Sequence, residues 1–351
     1  VAATLSGSGL LRGRKCPPAY ALAAVLEASS REAEVGMEVH RVLAAVARRD
    51  AAAVATEIAA LTPEGRAFAE RIEHAAVPEG EPEVAYAFDA RTGRVRRLRV
   101  QGRDYPVEPG EIPGTADLVV PARGDEPLMV IDWKTARWDF DPALHYEQLE
   151  FYALCAAREA GALRVRCRIG VVAEGGAIGW HTWELGFDEL AAVAARVRNT
   201  HARVEAARAE RAAHERANAA PWTPDVRGGE HCRYCPALLH CPGKRAAIGA
   251  VLGMTPEALT AETAGRAHAI AKDAERVGER VREAVGQLVD AFGELPTGDG
   301  RVVRRDGKRA LRLFPAHDDR APTAPPPRVW ARDAGRHAAA RAADDDGEVA
   351  T

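Results

Sequence analysis

The sequence predicts an α/β protein, a central mixed β-sheet flanked by helices. Two observations carry that expectation. Stretches with helical periodicity lie on either side of six short apolar runs of strand character, which occupy residues 83–185. Between the fourth and fifth of those runs lies one more helical stretch, so helices and strands share one core.

Taken in order, residues 1–15 read as a polar lead-in, S-G-S-G and then L-L-R-G-R-K. Cys16-Pro17-Pro18 opens a short helix reaching about Leu26, since proline is tolerated in a first helical turn. A second helix is expected over Arg31–Ala47, with Val39, Leu43 and Val46 on one stripe and Gly36 and His40 a turn apart. Helices over 51–60 and around 67–75 follow. From Glu83 the period changes: V-A-Y-A-F and V-R-R-L-R-V read as strands around the turn A-R-T-G. After the central stretch described next come a helix over 142–160 and strands over 165–172 and 178–185. A long helix over 188–218 shows Leu190, Val193, Val197 and Val204 on one stripe, with Asp188 placed to cap it. A helix over 256–292 and a small hairpin around D-G-R-V-V-R-R-D-G-K-R follow, and from Pro315 a Pro/Ala/Arg/Asp tail reads as disordered. The expected organisation is a domain over 1–244, a helical extension with a small hairpin over 245–314, and a tail over 315–351.

The residues between Gly114 and Tyr152 concentrate the chemistry: G-T-A-D, then V-I-D-W-K-T, then Q-L-E-F-Y. Along the strand L-M-V-I-D-W-K-T, side chains alternate, so Val130, Asp132 and Lys134 share one face and Ile131 and Trp133 the other. An acid and a lysine at the end of an apolar strand are costly to bury without partners. The preceding strand offers Asp117, which antiparallel pairing brings close to Asp132. Two close carboxylates repel unless a cation sits between them, and oxygen ligands suit magnesium or manganese. Gln148 and Tyr152, four apart, project from one face of the following helix.

Six cysteines are present, and Cys232, Cys235 and Cys241 form C-x2-C-x5-C in one loop. Three soft ligands this close indicate a metal centre. Zinc would take His231 or His240 as fourth ligand, and an iron–sulfur cluster would take Cys16; spacing alone leaves the two open. Cys155 and Cys167, in apolar contexts, read as small buried hydrophobes.

Composition sets outer bounds. A net charge of −3 gives no whole-chain argument for nucleic acid, so a DNA surface would be a local patch such as Arg91–Arg103, which equally fits a strand with a solvated face. No apolar run approaches the ~20 residues of a membrane span, and no signal-peptide pattern opens the sequence, so a cytoplasmic setting is expected.

In order and spacing, C-P-P-A-Y, G-M-E-V-H, G-T-A-D, D-W-K-T, Q-L-E-F-Y and C-R-Y-C-P-A-L-L-H-C-P resemble the RecB-type branch of the PD-(D/E)XK nuclease superfamily. The resemblance is nearest to iron–sulfur members such as AddB nuclease domains and CRISPR-associated and phage RecB-like exonucleases. It covers residues 6–244 and implies a restriction-endonuclease-like core. It also implies His40, Asp117, Asp132 and the Trp133 carbonyl as metal ligands, Lys134, Gln148 and Tyr152 as further catalytic-site residues, and a [4Fe–4S] clasp on Cys16, Cys232, Cys235 and Cys241 in preference to zinc. The implied activity is magnesium- or manganese-dependent cleavage of DNA, single-stranded or with a free end. An exonuclease of recombination, repair or phage replication, working beside a recombination or helicase partner, fits that implication. No phosphate-binding G-x-x-x-x-G-K-[ST] loop is present, which argues against a complete helicase–nuclease. The competing expectation is a non-catalytic DNA-binding or scaffolding module that keeps the fold.

Overall fold

The structure is a computed structural model. It describes residues 4–22, 31–99, 104–135, 140–217, 222–232, 235–252, 261–297, 301–306 and 310–315. The chain divides into two units, Ala2–Ala267 and His268–Thr351.

In the first unit, helices α1 (Leu10–Lys15), α2 (Ala19–Leu22), α3 (Arg31–Ala47), α4 (Ala51–Ala60) and α5 (Pro63–Ala69) lead into the strands. These are β1 (Glu81–Asp89), β2 (Val95–Arg97), β3 (Glu111–Val120) and β4 (Leu128–Thr135). Then come α6 (Tyr146–Ala160), β5 (Val165–Val172), β6 (Ile178–Leu185), α7 (Phe187–Arg216) and α8 (Pro242–Leu252). The six strands form one sheet in the order β2-β1-β3-β4-β5-β6. Only β4 and β5 pair in parallel. That pair is joined by α6, because a parallel connection needs a crossover that a short turn cannot supply.

Strand alternation builds a core on each face. Val130, Cys167 and Ile169 lie in one cluster with Leu149, Phe151 and Leu154 of α6 and Val193 and Val197 of α7. Ile131 and Trp133 join the opposite cluster with Val39, Leu43 and Val46 of α3 and Phe68 of α5. Each fully buried Leu, Ile or Phe side chain contributes about 1.5–3 kcal/mol, so the sheet is clamped from both sides. The expected mixed sheet flanked by helices is observed.

Three local expectations are corrected. The lead-in is not merely polar: α1 occupies it, and Leu5 and Leu10 are buried in the first cluster. The helix expected around 67–75 begins earlier, at Pro63, because Thr62 accepts the Gly65 N–H as its cap and proline suits the first turn. Asp188 does not cap α7; it lies in the first turn, and Glu189 instead accepts the Gly186 N–H at 3.0 Å. The arginine run is ordinary strand surface where described: Arg96 pairs with Glu111 at 2.6 Å and Arg97 with Glu81.

The second unit, described by itself, holds most of α9 (Ala261–Phe292) and a three-stranded sheet of β7 (Glu294–Pro296), β8 (Arg301–Asp306) and β9 (Ala310–Pro315). Arg305 pairs with Asp290 at 2.6 Å, fastening the hairpin to the helix. The tail beyond Pro315 and the start of the helix expected at Pro256 lie outside the described residues.

Candidate active site

The β3–β4 ladder carries the site, and it opens at the chemically important position. Its last pair is Leu118↔Ile131, so the next register step sets Asp117 across from Asp132. There the Trp133 N–H is accepted by the Asp117 carboxylate, at 2.6 Å. A side chain stands in for a ladder carbonyl, and the two strands part around it. The β1–β3 ladder is interrupted at the same place: Pro82↔Leu118 and Val84↔Ala116 pair, while Glu83 between them takes a left-handed φ of 54°.

Four of the sequence-predicted residues converge on this fork. His40 rises from α3 with Nδ1 3.5 Å from Asp117 Oδ1 and Nε2 3.0 Å from the Trp133 carbonyl. That geometry fits Nε2 as donor to the carbonyl, leaving Nδ1 toward the acid. Lys134 forms an ion pair with Asp132 and donates to the Trp133 carbonyl at 3.2 Å. From α6, Gln148 donates to Asp132 Oδ1 at 3.0 Å and to the Tyr152 hydroxyl at 3.2 Å.

Burial governs the charges. Asp132 is fully buried, and its pKa is pushed up to about 6 by burial and by neighbouring Asp117, against the pull of Lys134. Burial also works to raise Asp117, but the charge of His40, Lys134 and the Trp133 N–H outweigh it and hold that carboxyl below its usual range. Burial opposes protonation of His40, and Asp117 more than compensates, so its pKa is raised. The Tyr152 phenol is raised well above its ordinary value by burial and by the two acids, and stays neutral.

Whether this donor set suits a divalent cation can be tested on the side chains. Asp132 Oδ2 is buried and accepts no aligned hydrogen bond, although the Lys134 amine lies beside it. Ligand atoms of His40, Glu83 and Asp117 lie within 4.8 Å of one another. The carboxylates and the backbone carbonyl are hard oxygen ligands that suit magnesium or manganese, and the imidazole adds one borderline nitrogen. The residues fit such an ion.

Glu83 is the member sequence reasoning missed. In the sequence it marks only the place where the strand period begins. Its approach to Asp117 depends on register and on a left-handed backbone that no spacing rule exposes.

The expected cysteine set does not form a ligand group among the described residues. Cys16 and Cys232 are buried, and Cys235 and Cys241 are half-buried. The Cys235 thiol is pushed up to about 11, first by burial, with Cys232 and Cys16 adding like charge and Arg12 opposing. Thus Cys16, at the end of α1, stands near the C-terminal loop it was expected to meet. Among the described residues, no three cysteine sulfurs lie within 4.8 Å of one another. Cys155 and Cys167 are completely buried, as expected.

Comparison with known proteins follows from this geometry. The family model described as the PD-(D/E)XK nuclease superfamily matches residues 4–242. No curated protein matches. Among solved structures, one described as "Crystal structure of SSO0001" is 18% identical, covering 67% of this chain and 84% of that one, with a TM-score of 0.30.

Proposed function

The chain belongs to the PD-(D/E)XK nuclease superfamily, whose members are metal-dependent nucleases, and from that premise we propose that it is a DNA exonuclease of the RecB-type, iron–sulfur branch. The observation that carries the catalytic part is the convergence of Asp117, Asp132, Lys134 and His40 on one ladder opening.

In this reading His40, Glu83, Asp117, Asp132 and the Trp133 carbonyl hold the ion. Magnesium or manganese bound there would lower the pKa of a coordinated water and neutralise charge on the scissile phosphate. The chain's own residues do the rest. Lys134, beside Asp132, would orient the attacking water and stabilise the charge that grows on the phosphoryl oxygens. Gln148 fixes the Asp132 carboxylate through Oδ1, Lys134 lies beside Oδ2, and the Tyr152 hydroxyl holds Gln148 in turn. Tyr152 is a positioning residue, too well buried to reach substrate.

We place the cluster on Cys16, Cys232, Cys235 and Cys241. Support comes from the mutual influence of the first three thiols. Binding such a cluster would tie α1 to the loop after α7 and add to folding stability. The domain reading is kept as proposed: a nuclease domain over 1–244, an extension over 245–314 and a tail over 315–351. The setting proposed is cytoplasmic, with recombination, repair or phage replication as context and a helicase as partner. Among the described residues no helix is long and apolar enough to cross a membrane.

The test uses anaerobically purified protein, manganese, and end-labelled single- and double-stranded DNA. Progressive shortening from an end, abolished by Asp132→Ala and by Lys134→Ala, is expected. Internal cuts in circular DNA would replace the exonuclease assignment by an endonuclease, and undiminished cleavage by both variants would overturn the site. Broad visible absorbance, bleached by dithionite and lost in Cys235→Ala, is the cluster's expected signature; a colourless protein carrying one zinc would refute it.

A further inference from the structure

The active-site face of the sheet continues outward across two strands. In register, Asp132 stands beside Ile169 of β5, and Ile169 beside His181 of β6. His181 therefore shares the face and the row of Asp132, two strand spacings away, or roughly 10 Å. It is exposed, on the sheet's last strand. Around it gather aromatic rings from two segments. Phe140 stacks on His145 with ring centres 5.2 Å apart and planes 10° from parallel, and it meets His181 at 6.0 Å. Tyr146, at the start of α6, packs on Trp183 at 4.7 Å. Phe140 and Trp183 are seated on the core, while Tyr146 keeps 37% of its surface in solvent. His145 lies near enough to Lys134 to feel its charge; burial and that charge push its pKa down to about 4, so its ring is neutral at neutral pH.

We propose that this edge is a stacking shelf for unpaired nucleic-acid bases next to the scissile phosphate, with His181 and Tyr146 as its exposed faces over Phe140, His145 and Trp183. The proposal rests on the nuclease reading and adds to it a base-binding surface outside the metal site. Aromatic faces bind bases without regard to sequence, because every base has a π-face, and only bases freed from a duplex can reach them. A strand whose phosphate lies at Asp132 and Lys134 carries its neighbouring bases within reach of a shelf roughly 10 Å away. The site thus takes single strands or frayed ends in preference to closed duplex.

The experiment compares binding of a fluorescent oligothymidylate and of an abasic strand of the same length to the full chain in EDTA. The wild type is expected to bind the intact strand about tenfold more tightly than the abasic one. Combined His181→Ala and Tyr146→Ala substitution should bring that ratio close to one, and His181→Phe, which restores a ring, should keep it. A wild-type ratio near one overturns the shelf, as does a ratio that survives the double substitution. Loss of affinity for both strands in equal proportion also overturns it, since that pattern reports phosphate contacts or misfolding. Cleavage by the wild type with manganese is scored separately: its absence removes the nuclease reading, and the binding ratio still judges the shelf.

Discussion

The Asp117 carboxylate accepts the backbone N–H of Trp133 at 2.6 Å, closing with a side chain a hydrogen bond that the β-ladder would otherwise have made. One oxygen of Asp117 is thereby committed to the backbone, and the other faces His40. Position 117 thus bears both on the strand and on the ion.

Substitution separates the two roles. Asp117→Asn keeps an oxygen that can accept from Trp133, so folding should be little changed while cleavage falls by about three orders of magnitude. Asp117→Ala leaves that N–H without its partner, at a cost of about 1–3 kcal/mol. Thermal melts in EDTA should rank Ala well below Asn, and cleavage assays should find both variants inactive. Equal melting temperatures would show that the strand does not depend on the carboxylate.

Asp132 predicts a pH dependence whose sign is fixed by its raised pKa. A carboxyl at about 6 when folded, against 3.8 when free, binds its proton more tightly in the native state. Its contribution is fully present below about pH 4 and is lost as pH rises through about 6. The metal-free protein should therefore be less stable at pH 7.5 than Asp132→Asn, by a few degrees of melting temperature. At pH 4 the two should coincide. Manganese should reverse the order at pH 7.5 by stabilising only the wild type. Circular dichroism melts with EDTA or manganese measure all four conditions.

Glu83 combines a left-handed backbone with a carboxylate near His40 and Asp117. Non-glycine residues adopt such a φ at a cost of order 1 kcal/mol, and such strain gathers at functional sites. Glu83→Gly should relieve the strain and raise or preserve stability while weakening manganese binding. Glu83→Gln should weaken binding similarly with no gain in stability. Isothermal titration with manganese, paired with melts, distinguishes these outcomes. Unchanged affinity in both variants would remove Glu83 from the ligand set.

How far the sequence disclosed this site depends on the kind of signal. The strand alternation from Val130 to Lys134 is local, and the structure sends Val130 into one core and Ile131 and Trp133 into the other as that period requires. The four-residue spacing of Gln148 and Tyr152 is also local, and the two are hydrogen-bonded. Glu83 was not legible, because its place depends on pairing with a strand some thirty residues later and on a backbone angle with no residue-type signature. Residues 1–15 were misread for a related reason: alternating glycines and basic residues hide Leu5 and Leu10, whose burial is decided by distant α6 and α7. The aromatic edge, too, was invisible, since Phe140 and His181 meet only once β5 and β6 have paired.

The last prediction reaches the site from the opposite face of the sheet. Gly170 of β5 lies beside Trp133, and a Cβ at that position would collide with the indole ring. The indole cannot readily yield, because Trp180 packs on it at 5.1 Å and it is 2% exposed. Gly170→Ala should therefore cost about 1–3 kcal/mol by overpacking. Displacing Trp133 also moves the N–H that binds Asp117 and the carbonyl that receives His40 and Lys134. Activity should consequently fall further than stability does, with weaker manganese binding under conditions where the variant remains folded. Trp133→Phe in the Gly170→Ala background removes the colliding atoms and should recover part of both losses. If it recovers stability without metal affinity, Trp133 influences the ion through more than the position of its backbone.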